Sequence, residues 1–137
     1  MTVIVCIDDR GGMLFNNRRQ SRDRVLTADA LSLAEREGKK LYICGFSQRL
    51  FEGNEGSVVI DEDFLDGGDE RICFVENRAL APYIHDIDRV VVYRWNRTYP
   101  FDKTIDIDLA AGPWRLGSTE EFAGYSHEKI TKEIYVK

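Results

Sequence analysis

The chain is poor in the residues that build metal centres and disulfide frameworks, with two histidines and three cysteines in 137 residues. His85 and His127 lie far apart, and neither sits in an H-x-H-x-D-H-type cluster, so the ligand spacing of a zinc hydrolase or metal-dependent nuclease is missing. Cys6, Cys44 and Cys73 are odd in number and each falls in an apolar run. They read as buried thiols of a reducing, cytoplasmic protein rather than a disulfide scaffold. Basic excess is also lacking: 19 Lys and Arg against 24 Asp and Glu leave a net charge of −5. An acidic surface repels the phosphate backbone, so no nucleic-acid partner is expected. No apolar run approaches the ~20 residues of a membrane span. Met1-Thr2-Val3 enters an apolar run without a basic leader, so no membrane partner is expected. Repeats and low-complexity segments are absent. So are the G-x-S-x-G elbow of serine hydrolases and the G-x-G-x-x-G dinucleotide fingerprint.

What remains has the composition of an ordinary globule, 43% hydrophobic and 31% charged, expected to form one domain over residues 1–137. Val3 to Ile7, Leu41 to Cys44, Val58 to Ile60, Ile72 to Val75 and Val90 to Tyr93 are compact apolar runs rich in β-branched residues. They do not alternate. Strands covered on both faces have this pattern, which predicts a mostly parallel sheet with helices above and below.

A helix is expected from about Arg22 to Glu37, capped by Ser21 and ended by a left-handed Gly38. At ~100° per residue, Leu26, Ala30, Leu33 and Ala34 form its apolar stripe, and Asp23 falls within it. Shorter helices are expected at Ser47 to Phe51 and Asn77 to Ile84. Beyond Trp95, Thr104 to Leu109 alternates polar and apolar like a half-exposed strand. Trp114 to Phe122 and Glu128 to Val136, turning at Gly124 to His127, read as an antiparallel hairpin. The fold class is thus α/β: a three-layer α/β/α sandwich with a mixed, mostly parallel sheet and an antiparallel C-terminal hairpin.

Few residues stand out as chemistry. Asp8 and Asp9 end the first strand, where ligands of α/β sheets gather, but no third ligand is near them and no metal is expected. Arg18, Arg19, Arg22 and Arg24 could grip a phosphate or carboxylate, or form a solvated face. Asp23 is either a ligand-facing acid or a helix-start residue favoured by the macrodipole. If it faces a dry cleft, desolvation should raise its pKa, and Asp23→Asn should leave stability unchanged or higher. Trp95 and Trp114 are expected to pack the C-terminal sheet.

The order of these elements resembles that of dihydrofolate reductases over most of the chain. Val3 to Asp8 is similar to the family's first strand, Gly12-Met13 through Arg19 to its mobile loop, and Asp23 to its pterin-binding carboxylate. Lys40 to Gly45 is similar to its glycine-ending strand. Leu80 to Ile84, Asp88 to Tyr93, Pro113-Trp114-Arg115 and Lys132 to Val136 follow the later helix, strand and hairpin. The resemblance implies an NADPH-dependent reductase of a pterin or related ring, with Asp23 catalytic. It implies substrate contacts at Cys6, Asp23, Thr27 and Phe74, and cofactor contacts at Gly12, Met13, Gly45 and Ser47.

The departures fall on the cofactor half. Gly45 is followed by Phe46-Ser47-Gln48, which keeps a hydroxyl and loses the family's adjacent basic residue. Val75-Glu76-Asn77 stands where the family has a glycine pair. A glycine turn lets N–H groups approach an anion, whereas Val and Glu add bulk and like charge. Between Asp61 and Arg71 about one strand and one helix of the adenosine side are missing. The expectation is a small planar or anionic ligand with weak or no NADPH binding. An active reductase and a homodimerising interaction module using the sheet edge or hairpin are the alternatives.

Overall fold

The β-branched runs form the expected strands. The computed structural model describes residues 1–68 and 70–137. In chain order its elements are β1 (Thr2–Ile7), β2 (Gly12–Phe15), β3 (Arg18–Arg19), α1 (Arg24–Arg36), β4 (Leu41–Ile43) and β5 (Val58–Ile60). These are followed by β6 (Ile72–Phe74), β7 (Arg89–Arg94), β8 (Lys103–Thr104), β9 (Arg115–Phe122) and β10 (Ile130–Val136). The main sheet has the order β5-β4-β6-β1-β7-β10-β9. Its first five strands are parallel, and β10 and β9 are antiparallel to their neighbours. β1 is continuously apolar because both its faces are covered. Val3, Val5 and Ile7 pack with Phe64, Leu80, Ile87 and Val92, and Ile4 packs with Leu26, Ala30, Phe74 and Val91.

The architecture is the α/β class read from the sequence. α1 forms one outer layer through Leu26, Ala30, Leu31, Leu33 and Ala34. The opposite layer is thinner, built from 3-10 turns at Phe64–Asp66 and Ala81–Tyr83 and from the partly buried Ile105, Ile107 and Leu109. The helix expected at Asn77 to Ile84 is only that Ala81–Tyr83 turn. Pro82 shortens it, and the Asp106 carboxylate accepts from the Leu80 and Ala81 N–H groups at 2.8 and 3.0 Å. The strand expected at Thr104 to Leu109 reduces to Lys103–Thr104. Its alternation correctly marks one covered face, but alternation alone does not supply a pairing partner. Ser47 to Phe51 lies in a 3-10 run, Gly45–Phe51.

Two local corrections bear on the site. α1 begins at Arg24, and its N-cap is Asp23 rather than Ser21, with extended φ −153° and ψ 124°. The segment from Gly12 to Arg19 is a hairpin rather than an irregular loop: β2 pairs with β3 and with β8. Asn16 and Asn17 turn it at φ 53° and 60°, the left-handed pair that a two-residue hairpin requires. Gly38 closes α1 as expected, at φ 70°, with the Lys39 N–H donating to the Ala34 carbonyl at 2.9 Å.

A buried lysine ties α1 to the C-terminal strands. Lys132 on β10 is only 3% exposed, and its Nζ lies 2.8 Å from Asp29 of α1 and 3.4 Å from Glu120 of β9. The Tyr93 hydroxyl also donates to Asp29, at 2.5 Å, and burial together with that carboxylate pushes the phenol far above its usual range. Lys132→Ala leaves Asp29 half-shielded without its cation and opens a hole under β10. A loss of about 2 kcal/mol is expected, because breaking a partly buried pair adds to cavity cost. Urea denaturation checks this, and a midpoint unchanged from wild type would mean that solvent already screens the pair.

Candidate functional site

The carboxyl ends of β1, β4, β6 and β7 share one edge of the sheet, where open α/β sheets place ligands. Four chain segments meet there: the turn after β1, the β2–β3 hairpin with the residues leading into α1, the Gly45–Phe51 run, and the 124–127 turn between β9 and β10. Asp8 is fully buried and is consumed by that geometry. Its carboxylate accepts from the Arg10, Gly12 and Tyr99 N–H groups at 2.9, 2.8 and 3.1 Å. Burial pushes its pKa up, and these donors outweigh that to hold it below the usual range. Gly12 must lack a side chain, since a Cβ would meet Gln20 at 2.6 Å and Phe101 at 2.8 Å.

Asp23 is the hub of the site. Its Oδ1 accepts from Val25 N–H and Tyr125 N–H, both at 2.9 Å, and its Oδ2 accepts from Ser126 N–H at 2.9 Å. The His127 ring lies against Oδ2 with its Nδ1 at 3.0 Å. Burial alone pushes the carboxyl up, but the donors Tyr125, His127, Ser126 and Val25 prevail and hold it far below the usual carboxylate range. The expected rise is therefore reversed. The cleft-side acid is dry, but it is not isolated.

An ionised Asp23 only accepts, so His127 Nδ1–H donates to it, which in the neutral ring leaves the lone pair on Nε2. Nε2 faces two hydroxyls, Ser21 Oγ at 3.1 Å and Tyr99 Oη at 3.0 Å. Trp95 stacks on the ring at 4.6 Å between centroids. Histidine 127 is thus fixed on both nitrogens and on its face.

A second polar cluster follows β6. The Glu76 carboxylate accepts from Arg19 Nε at 2.8 Å, from an Arg19 terminal N–H at 3.0 Å and from the fully buried Ser47 hydroxyl at 2.7 Å. Arg19 also donates to the Phe46 carbonyl at 2.8 Å and lies over the Phe46 ring at 4.8 Å. Donating to the Glu76 carboxylate makes the guanidinium still harder to deprotonate.

Two open cavities flank Asp23. One, of about 420 Å³, is lined by Arg22, Asp23, Arg24, Thr27, Arg49 and Tyr125 among others. The other, of about 590 Å³, is lined by Arg18, Arg19, Ser21, Arg22 and Phe46 among others. They share Arg22 and Ser126, and Arg24 stacks 3.5 Å from the Tyr125 ring centroid. A smaller space between Cys6, Met13, Val75, Glu76 and Trp95, which shares Arg19 and Ser21 with the second cavity, holds only about 10 Å³.

No protein-family model matches the chain, and no curated protein matches it in sequence. Solved structures do match. The dihydrofolate reductase from Enterococcus faecalis, complexed with NADP(H) and RAB-propyl, superposes with a TM-score of 0.60 over 98% of this chain and 94% of that chain, at 13% identity. The chain has a dihydrofolate reductase-like fold. At that identity the likeness speaks for the fold alone.

Within this dihydrofolate reductase-like fold the sequence-derived residues separate into three groups. Asp23 and Thr27 come together on the first cavity wall, where the Thr27 hydroxyl is turned back to the Arg24 carbonyl at 3.2 Å. Cys6, Met13 and the Glu76–Arg19 pair border the small closed space. Burial, then Glu76, pushes the Cys6 thiol well above its usual value, which makes it a poor nucleophile. Phe74 lies in the core, edge-to-face with Phe51 at 5.3 Å, and not on either cavity wall. Gly12 is a β2 residue buried against Gln20 and Phe101, and the Gly45 N–H is taken by Glu62 at 2.6 Å. Sequence reasoning missed His127, Tyr99, Ser21 as a bond partner and Arg49. The only local signal was the polar turn Gly124 to His127. Among the described residues no group of three or more His, Cys, Asp or Glu is placed to hold a metal, and no helix is long and apolar enough to cross a membrane.

Proposed function

We propose that residues 1–137 act as a dihydrofolate reductase-like domain whose dinucleotide site is closed and whose arginine-lined groove takes a small planar or anionic ligand. The Glu76 carboxylate carries this reading. Glu76 stands where the resemblance puts a glycine, and the two groups suited to an incoming phosphate, the Ser47 hydroxyl and the Arg19 guanidinium, both hold it. A dinucleotide would have to displace an intramolecular anion that pays no association entropy. It would also have to open the 10 Å³ space beside Met13 and Cys6. The donor set therefore does not fit that cofactor. The flanking groove suits an anion with a flat face: Arg22, Arg24 and Arg49 supply charge, and the Arg24–Tyr125 stack supplies a planar surface.

Titration calorimetry with NADPH and NADH is expected to show no heat at micromolar concentrations. Thermal melts with naphthalene-2-carboxylate or phthalate should shift upward, and Arg22→Ala with Arg49→Ala should abolish the shift. Tight NADPH binding would overturn the closed site, and melts indifferent to every aromatic anion would overturn the groove. The second reading is an NADPH-dependent reductase of a pterin-like ring, favoured by Asp23 and Thr27 sharing a cavity wall. NADPH oxidation on addition of dihydrofolate separates the two.

A further inference from the structure

A nucleophile, a base and a carboxylate that orients the base lie beside the arginine groove: Ser21 lines one cavity, Asp23 the other, and the buried His127, which lines neither, bonds to both. We propose that Ser21, His127 and Asp23 cleave a carboxylic ester that bears an acidic group. Ser21 Oγ is 3.1 Å from His127 Nε2, and His127 Nδ1 is 3.0 Å from Asp23 Oδ2. Serine, histidine and aspartate at these separations are recognised by geometry and role rather than by chain order or a local motif. That is why the absent G-x-S-x-G elbow does not decide the matter. Each member suits its role. Asp23 is buried, ionised and tied to three backbone N–H groups, so it fixes the histidine tautomer that leaves Nε2 basic. The Trp95 stack and the Tyr99 hydroxyl hold the ring. Ser21 is half-buried and lines the 590 Å³ cavity, and Tyr99 lines neither cavity, so of the two hydroxyls on Nε2 the serine is the one a substrate can meet. Arg18 and Arg22 on that wall draw the substrate's acid group and supply positive charge for the oxyanion.

The step balances with water as the only co-reactant. Ser21 Oγ bonds to the ester carbon as its proton passes to Nε2. The tetrahedral intermediate expels the alcohol, which takes that proton from Nε2. Water then attacks the acyl-serine and gives a proton to Nε2, and the leaving Ser21 Oγ takes it back. An acid and an alcohol are released, and nothing is oxidised or reduced.

The substrate class rests on the groove reading above, and the test keeps the two apart. With 4-nitrophenyl hydrogen glutarate, wild type should release a burst of nitrophenolate, and its mass should rise by one glutaryl group located on the Ser21 peptide. A fluorophosphonate should label the same serine. Ser21→Ala should lower the rate about 100-fold or more, the range lost when acid–base assistance goes. His127→Gln should do likewise, and Ser21→Ala, which leaves the buried Asp23–His127 hydrogen bond intact, decides the matter if that variant does not fold. Turnover no faster than buffer, a Ser21→Ala enzyme as fast as wild type, or labelling on another residue would overturn the assignment. Glutarate itself should raise the melting temperature of both wild type and Ser21→Ala. Stabilisation without acylation removes the serine assignment alone, and absence of stabilisation by glutarate removes the acidic-ester assignment while the aromatic-anion melts still test the groove reading.

Discussion

Asp23→Asn is expected to destabilise the protein by about 3 kcal/mol, the upper end for hydrogen bonds to a charged group. Asparagine can still cap α1 with its carbonyl. Its amide, however, must then face Ser126 N–H or His127 Nδ1–H, donor against donor, where Asp23 Oδ2 now accepts from both. For a domain of this size the loss corresponds to a fall in Tm of roughly 10 °C. The pH dependence has a fixed sign. The folded carboxyl titrates below the unfolded one, so the unfolded chain takes the proton first. The Asp23 contribution is fully present above the unfolded value, about pH 4. It is lost as the pH falls below that, and the gap between wild type and Asp23→Asn should narrow in acid. Urea denaturation at neutral pH and at about pH 3 reads both effects. An unchanged midpoint at neutral pH would return Asp23 to the role of an expendable helix-start residue.

The parts of this fold that were legible in the sequence are those in which one residue pattern has one physical meaning. Val3 to Ile7 and Val90 to Tyr93 are apolar on consecutive positions because both sheet faces are covered, and they pair in register as parallel neighbours, Val3 with Val90 and Val5 with Val92. Gly38 marks a helix end because only a left-handed residue closes it. The illegible parts depend on partners distant in sequence. Asp106 alternates like a strand residue but is spent capping a turn 25 residues away. Asn16-Asn17 is a hairpin signal that a comparison with a loop obscures.

For the site, the inward carboxylate Asp23 was legible, and its pKa was not. The expected rise considered burial alone, whereas the sign is set by N–H donors from Tyr125 and Ser126, about a hundred positions along the chain. In the sequence His127 has no second histidine nearby to mark it. Its partners are Asp23, Ser21 and Tyr99, and only the folded chain brings them to it. Phe74 raises a related question of facing: a strand's end points to the cleft or to the core, and here the ring packs edge-to-face against Phe51.

Glu76→Ala is expected to convert an internally filled anion site into an accessible one. The substitution removes the carboxylate that takes three hydrogen bonds, from Arg19 twice and from Ser47 once. Ser47 is fully buried and Arg19 partly so, and the variant should lose about 2 kcal/mol because unpaired buried donors keep their desolvation cost. The same vacancy is a positive, hydroxyl-lined recess beside the Gly45–Phe51 run. Pyrophosphate should occupy it, replacing one anion by another on the same donors. Binding to the folded state alone adds RT ln(1 + [L]/Kd), about 2.7 kcal/mol at a hundredfold excess over Kd. Pyrophosphate should therefore restore the urea midpoint of Glu76→Ala to wild type or above, and wild type should gain only what its outer arginine groove provides. Glu76→Gln separates charge from volume: it keeps the recess filled, so it should respond far less than the alanine variant. If pyrophosphate stabilises wild type and Glu76→Ala equally, the anion sits only among the outer arginines, and Glu76 is a structural partner of Arg19 that closes nothing.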